Sequence, residues 1–302
     1  MDRRDGLVDN AGMPADGSIQ IVAVIGAGTM GHGIAQVAAG AGLRVRLHDA
    51  EPAALERARS RIDANLKGGI ERGKLTEADR RRTLDGITVE SALPAAVSEA
   101  DLVIEAIVEK LDPKQALFRR VVEAAPKRAI LATNTSSLPI SKIAEGAAGA
   151  KERVIGMHFF NPVHLMPLVE IVVHPETAEE VRVAVVGLAR RLGKEPIVVR
   201  DSPGFASSRL GVVLGLEAMR MLEQGVASPE DIDKAMELGY KHPMGPLRLT
   251  DLVGLDVRLA IAETLHRELG GEQYRPPDIL RRKVAAGELG KKTGKGFYSW
   301  KE

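Results

Sequence analysis

With 302 residues the chain can build one large domain or two, with ample core for independent folding. Its 42 basic and 41 acidic side chains leave a net charge of +1, so it lacks the electrostatic footprint of a phosphate-backbone binder and no nucleic-acid partner is expected. Cysteine is absent, which excludes disulfides, thiolate nucleophiles and Cys-ligated metal sites and fits a reducing compartment, so the cytoplasm is the expected location.

No stretch approaches the roughly 20 apolar residues of a membrane span, and no membrane partner is expected. Residues 1–18 mix charges with Gly and Pro and lack an apolar h-region, so they read as a disordered leader rather than a signal peptide. The run IQIVAVI (19–25) predicts a strand. It leads into Gly26-Ala27-Gly28-Thr29-Met30-Gly31 and then a helical pattern over 33–40 with Ile34, Val37 and Ala38 on one face. The order strand, glycine turn, helix is a dinucleotide-binding signature. Gly26 allows the sharp turn, Gly28 lets the backbone approach a pyrophosphate, and Gly31 brings the helix close to the strand. A second strand, RVRLHD, ends at Asp49, where an acid would accept from ribose hydroxyls and repel a 2′-phosphate. NAD is therefore favoured over NADP, although Arg44 and Arg46 are close in sequence.

Residues 52–72 predict a charged helix with Leu55, Ile62 and Leu66 in one narrow stripe, turning at Gly73. Thr76 predicts the N-cap of another, with Asp79 at its third position. Apolar runs follow at 102–107, 129–133, 153–160, 168–173 and 196–200, and those before His158 alternate with helical stretches such as 113–125. That alternation is the grammar of a doubly wound, mainly parallel, Rossmann-type sheet. Past Asp201 strand-like runs cease. Helical periodicity covers 205–224, resumes after Ser228-Pro229, and continues over 250–269 and 277–286. The expected organisation is a leader at 1–18, an NAD-binding Rossmann domain at 19–200, and an all-α domain at 201–302 for substrate and dimerisation. The apolar stretches 210–222 and 252–265 predict a subunit interface, hence a homodimer.

His158 ends a strand, and Glu170 lies in the next one beyond Pro162 and Pro167. If the two runs return side by side, Glu170 meets one imidazole nitrogen and the other can exchange a proton with a substrate alcohol. The competing reading is a structural histidine satisfied in the core. The cluster Thr133-Asn134-Thr135-Ser136-Ser137-Leu138 closes a strand at the end of the sheet where ligands bind, and its hydroxyls either hold a substrate oxygen or cap a helix. The remaining histidines form no metal-ligand pattern, and no metal is expected. His242, before Pro243, reads as turn chemistry near the domain interface. The GKKTGKG segment reads either as a solvated tail or as a return toward the cofactor.

The motifs GAGTMGHGIA, DLVIEAIVE, TNTSSLPI, GMHFFNPVHLMPLVEIV, DSPGF, HPMGPLRLTDLVGLD and GKKTGKGFY together resemble the L-3-hydroxyacyl-CoA dehydrogenase family, in particular its short-chain 3-hydroxybutyryl-CoA type, over nearly all of 19–300. The resemblance implies an oxidoreductase that interconverts an (S)-3-hydroxyacyl-CoA and the 3-ketoacyl-CoA with NAD, the acyl chain lying between domains. It implies His158 as base and Glu170 as its orienting partner. The catalytic serine falls on Ser136, with Ser137 as the competitor. By the same resemblance Asp49, Glu109, Lys114, Asn161 and Lys292 contact NAD. Asn65 and Arg72 hold the CoA moiety, with Lys67 as an alternative for its phosphates. One departure stands out: Ser208 occupies the place of the family's substrate-binding asparagine, and a hydroxyl cannot donate and accept as an amide does. That departure leaves two rivals, a dehydrogenase of non-CoA hydroxy or sugar acids such as gulonate, and a silent NAD-binding protein, against which the presence of both His158 and Glu170 counts.

Overall fold

The computed structural model describes residues 19–300, and the leader expected at 1–18 lies outside the described residues. The chain divides between Asp201 and Ser202 into two compact units.

In the first unit, β1 (Ile21–Ile25), α1 (Gly31–Gly40), β2 (Arg44–His48), α2 (Pro52–Glu71), α3 (Glu77–Asp85), β3 (Ile87–Glu90), α4 (Leu93–Val97) and β4 (Leu102–Glu105) are followed by α5 (Leu111–Ala124), β5 (Ile130–Thr133), α6 (Ile140–Ala144), β6 (Val154–Phe159), β7 (Leu168–Val173), α7 (Glu179–Arg191) and β8 (Glu195–Arg200). The eight strands form one sheet in the order β3-β2-β1-β4-β5-β6-β7-β8. Every pairing is parallel except β6 with β7. This is a Rossmann-type doubly wound sheet. The strands β4, β5 and β6 are buried along their whole length, which is why each reads as a mainly apolar run rather than an alternation, with Glu105 and His158 as buried polar exceptions. Strand order reverses between β1 and β4, and the crevice at their carboxyl ends is where ligands enter such sheets.

The core joins Val22, Val24 and Ile104 of the sheet to Ile34 and Ala38 of α1 and to Leu55, Ile62 and Leu66 of α2, the stripe read from the sequence. Each such aliphatic side chain contributes about 1.5–3 kcal/mol on burial. Thr76 caps α3 in a full capping box with Asp79, as the spacing predicts. The short, half-exposed β3 and the five-residue α4 and α6 carry too little periodicity to stand out in the sequence.

The second unit holds α8 (Ser207–Glu223), α9 (Pro229–Gly239), α10 (Pro246–Val253), α11 (Leu255–Leu269) and α12 (Asp278–Ala285) around Val212, Leu216, Met219, Leu247, Leu255 and Leu265. The continuous helix expected over 250–269 is instead two, because Gly254 adopts a left-handed φ of +104° between α10 and α11. His242 lies in the turn between α9 and α10, in line with its turn reading. In the closing GKKTGKG segment residues 291–295 are exposed, in line with a solvated surface, while the stretch just beyond is anchored: the buried Asp251 of α10 accepts from the backbone of Phe297 and Tyr298 and from the Trp300 indole.

Candidate active site

The glycine turn divides its work as its chemistry demands. A Cβ on Gly26, whose φ is +105°, would come 2.5 Å from the Ala106 carbonyl oxygen, and one on Gly31 would come 1.7 Å from that of Gly26. Both positions are closed to any side chain. Around Gly28 a Cβ would meet nothing within 4 Å, so that stretch of backbone is open to a ligand. The Asp49 carboxylate is held against the turn, accepting from the Ala27 N–H at 2.7 Å and the Glu51 N–H at 2.9 Å. Arg46, the nearby cation, donates to the Ala95 carbonyl and pairs with Glu99. Arg44 begins β2, roughly 16 Å of strand from Asp49. Neither arginine is set to receive a 2′-phosphate beside Asp49.

Two cavities meet at Gly28. One, of about 460 Å³, runs along Gly26, Asp49, Ala50 and Ile107. The other, of about 500 Å³, is lined by Met30, Glu109, Asn134, Ser136, His158 and Asn161, among others. An open glycine, a helix N-terminus and the Asp49 carboxylate along one crevice fit a dinucleotide.

Within the second cavity, β6 and β7 run antiparallel with His158 directly opposite Glu170. His158 donates from Nδ1 to Glu170 Oε2 at 2.7 Å, and Glu170 is wholly buried. The Phe160 ring packs against the imidazole with centroids 4.5 Å apart. The Asn134 side-chain oxygen accepts from the Phe159 N–H at 2.9 Å and ties the end of β5 to the end of β6.

The other focus is Glu109. Its Oε1 accepts from Thr135 Oγ1 at 2.5 Å, from the Ser136 N–H at 2.8 Å and from the Ser137 N–H at 3.2 Å, with both serine hydroxyls at 3.3 Å. Burial pushes the Glu109 carboxyl up. The Lys114 charge and the hydrogen bonds from Thr135 and Ser136 outweigh that, and hold it below the ordinary carboxylate value. Ser136 faces the His158 cavity and Ser137 does not line it. The helix-cap reading of these serines is corrected. Helix α6 starts at Ile140, and its first N–H groups, from Ile140 and Ser141, donate to the carboxylate of Asp201, a residue sequence reasoning passed over although it opens the DSPGF motif.

A third cavity of about 410 Å³ is lined by Asn65, Arg72, Lys74, Arg82, His164 and Arg191, over a floor that includes Leu66, Leu75 and Leu165. Asn65 donates to Gln36, and Arg82 is taken by Asp79. Arg191, Lys74 and His164 were not apparent from motif or spacing. Burial, followed by the charges of Arg72, His32 and Lys194, depresses the His164 pKa. Lys67 is not on this wall and pairs with Asp63 one turn away. Lys194, itself buried, donates to the carbonyls of Val163 and Met166 and so fixes the loop that carries His164.

The structure does not bring Lys114 to either nucleotide cavity: it is 1% exposed, with its ammonium 2.6 Å from Glu105 and 3.2 Å from Glu109. Lys292 belongs to the second unit, where it pairs with Asp256 of α11. Ser208 also belongs there, in the first turn of α8.

A Rossmann crevice with Asp49 along one cavity and a His–Glu pair in the next fits a nicotinamide-dependent oxidoreductase. The NAD-binding domain model of 3-hydroxyacyl-CoA dehydrogenases matches residues 21–202, and the C-terminal domain model of the same enzymes matches 204–300. The chain is 46% identical to a probable 3-hydroxybutyryl-CoA dehydrogenase of Bacillus subtilis, over 94% of this chain and 98% of that one. It is also 46% identical to a protein of the same description from Deinococcus radiodurans, over 92% and 99%. The solved (S)-3-hydroxybutyryl-CoA dehydrogenase of Ralstonia eutropha superposes with a TM-score of 0.91 at 42% identity, covering 94% of this chain and all of that one. The chain belongs to the 3-hydroxyacyl-CoA dehydrogenase family.

Proposed function

We propose that this protein interconverts a short-chain (S)-3-hydroxyacyl-CoA, 3-hydroxybutyryl-CoA, and its 3-ketoacyl-CoA, and the observation that carries this is the buried His158–Glu170 pair facing the nucleotide crevice. NAD supplies the hydride acceptor or donor when bound, cradled by Gly26, Gly28 and Gly31 and oriented by Asp49. With Nδ1 committed to Glu170, Nε2 of His158 exchanges the proton of the C3 oxygen. The buried carboxylate stabilises the imidazolium that forms in the oxidative direction. The Ser136 backbone N–H stays on Glu109, and its hydroxyl turns its one proton from Glu109 to donate a hydrogen bond to the same oxygen when substrate binds. Asn161 and Glu109 line the crevice on the nicotinamide side, and Lys292 is assigned to the cofactor by family position alone. The Phe160 ring packs against the imidazole and so restricts its orientation.

The cationic cavity over an apolar floor suits the phosphates and adenine of CoA. This supports Asn65 and Arg72 as the CoA-binding residues and sets Lys67 aside. Ser208 takes the place of the family's amide toward the acyl chain. Packed on one another, α8, α10 and α11 leave Leu210, Leu249, Leu252, Val253 and Val257 exposed, which supports a homodimer through the helical domain. Light scattering on the full chain tests that part: a mass of one chain at micromolar concentration refutes it.

The activity test is NADH oxidation at 340 nm with acetoacetyl-CoA, beside NADPH and beside free acetoacetate. Turnover with the thioester and NADH, and little with the free acid, is the expected result. NADH binding without thioester reduction would overturn the reading and turn the search to hydroxy and sugar acids.

A further inference from the structure

None of the chemistry above uses His164, although its side chain lines the cavity of about 410 Å³ read as the CoA site. It stands in the loop between β6 and β7, and that loop is pinned on both sides of it. The buried Lys194 donates to the carbonyl of Val163 before it and to that of Met166 after it, so the half-buried imidazole is held at the cavity wall.

Cations face it from every element around the cavity. Arg72 and Lys74 lie in the turn between α2 and α3, Arg82 on α3 and Arg191 at the end of α7, while His32 of α1 and Lys194 are close enough to act on its charge. The one acid on the wall, Asp79, is already taken by Thr76 and Arg82. Arg72, Lys74 and Arg191 have no acid partner among the described residues. Burial and the charges of Arg72, His32 and Lys194 hold the imidazole below its ordinary pKa, so at neutral pH the free protein carries it without a charge.

A surplus of unpaired cations is the setting of an anion site, and an arriving phosphate opposes each of the charges that keep the proton away. A dianion about 5 Å from an imidazole raises its proton affinity about tenfold even at the dielectric of water, and by more in a cavity that screens less. Once protonated, both ring nitrogens donate, so the ring gains a donor for phosphate oxygen at the moment one is present. We propose that His164 is a further ligand of the CoA phosphates, uncharged in the free protein and taking up one proton from solvent as they bind. The proposal rests on the reading of this cavity as the CoA site. Because the complex then holds more protons than the free protein, CoA is bound more tightly as pH falls from about 8.5 toward about 7.

The test is calorimetric titration of the full chain with CoA and with dephospho-CoA, which lacks the 3′-phosphate, in pairs of buffers that differ in ionisation enthalpy. A phosphate monoester loses its second proton near about pH 6, so at about pH 7 it is already mostly dianionic and proton uptake reports the protein. Wild type is expected to take up about half a proton or more per CoA at about pH 7, and H164Q less than about a tenth. H164Q should bind CoA about three- to tenfold more weakly than wild type at about pH 7 and within about twofold of it at about pH 8.5, where the wild-type imidazole is itself largely uncharged. H164K carries its charge throughout, so it should bind within about threefold of wild type at about pH 7 with no uptake, and it serves if H164Q does not fold. Uptake that survives in H164Q puts the proton on His32 or another group and overturns the proposal. So does an affinity gap of the same size at both pH values, the mark of a packing role. Uptake lost with dephospho-CoA identifies the 3′-phosphate as the partner and uptake retained identifies the diphosphate, and either supports the proposal. CoA binding by wild type without proton uptake overturns the proposal alone. A chain that binds NADH but not CoA refutes the reading of the cavity, and the proposal with it.

Discussion

Nδ1 of His158 stands 2.7 Å from Oε2 of Glu170 because the two residues are direct partners across the one antiparallel step of the sheet. The eleven residues between them only need to turn the chain back, and the ladder sets the distance. Removing the imidazole in His158→Ala should lower turnover by about 10²–10⁴, the usual contribution of general acid–base catalysis, with NADH affinity within a few-fold of wild type. Turnover near wild type would sink the proton-transfer role. Glu170→Gln keeps the shape and loses the charge, and should cost about 10- to 100-fold in kcat with NADH binding intact.

The two glycines that flank the phosphate turn should fail in different ways. Gly31→Ala forces a methyl into the Gly26 carbonyl, so the unfolding temperature should fall by several degrees together with NADH affinity. Gly28→Ala meets only open space, so the protein should melt near wild type while NADH affinity drops about tenfold or more. Thermal melts and fluorescence titrations separate the cases, and equal melting losses would refute the division of labour.

Cofactor choice is assigned to Asp49. Asp49→Ser removes the charge that repels a 2′-phosphate, and the NADH-to-NADPH preference in kcat/KM should narrow by about 10- to 100-fold. An unchanged ratio would move the discrimination elsewhere in the crevice.

Acid stability should report Glu109. Its carboxyl lies below the ordinary value of 4.5 in the folded protein, so the charged form favours folding above that pH. This contribution is lost as pH falls from 4.5 through the lower folded value, since the unfolded chain binds the proton first. Melting curves of wild type and Glu109→Gln from about pH 6 to pH 3 should therefore converge as the acid limit is approached. A constant gap would show that the carboxylate contributes by packing rather than charge.

If Ser208 simply stands in for the family's amide, Ser208→Asn should give equal or higher turnover with acetoacetyl-CoA. Complete loss of activity would show a pocket built around the hydroxyl.

Much of this molecule was fixed by local sequence. The glycine turn between a strand and a helix, the capping box at Thr76, the Ser228-Pro229 helix start and the stripe of α2 each follow from a few neighbouring residues. Each of those residues has a single backbone geometry or face that suits it. The His158–Glu170 pair was legible as a conditional, true if two strands returned side by side. What the sequence could not supply were contacts whose partners lie far along the chain. Asp201 caps α6 from about sixty residues away. Asp233 caps α10 in the same manner, so no serine or threonine was needed at either helix start. Lys114 reads as one charged residue on an amphipathic helix. Its partners Glu105 and Glu109 precede it by only nine and five residues, but spacing alone does not show that the chain folds both carboxylates around one buried ammonium. Residue type and spacing determine which backbone shapes are allowed, whereas the partners of buried charges are chosen by the sheet order, which exists only once the chain has folded.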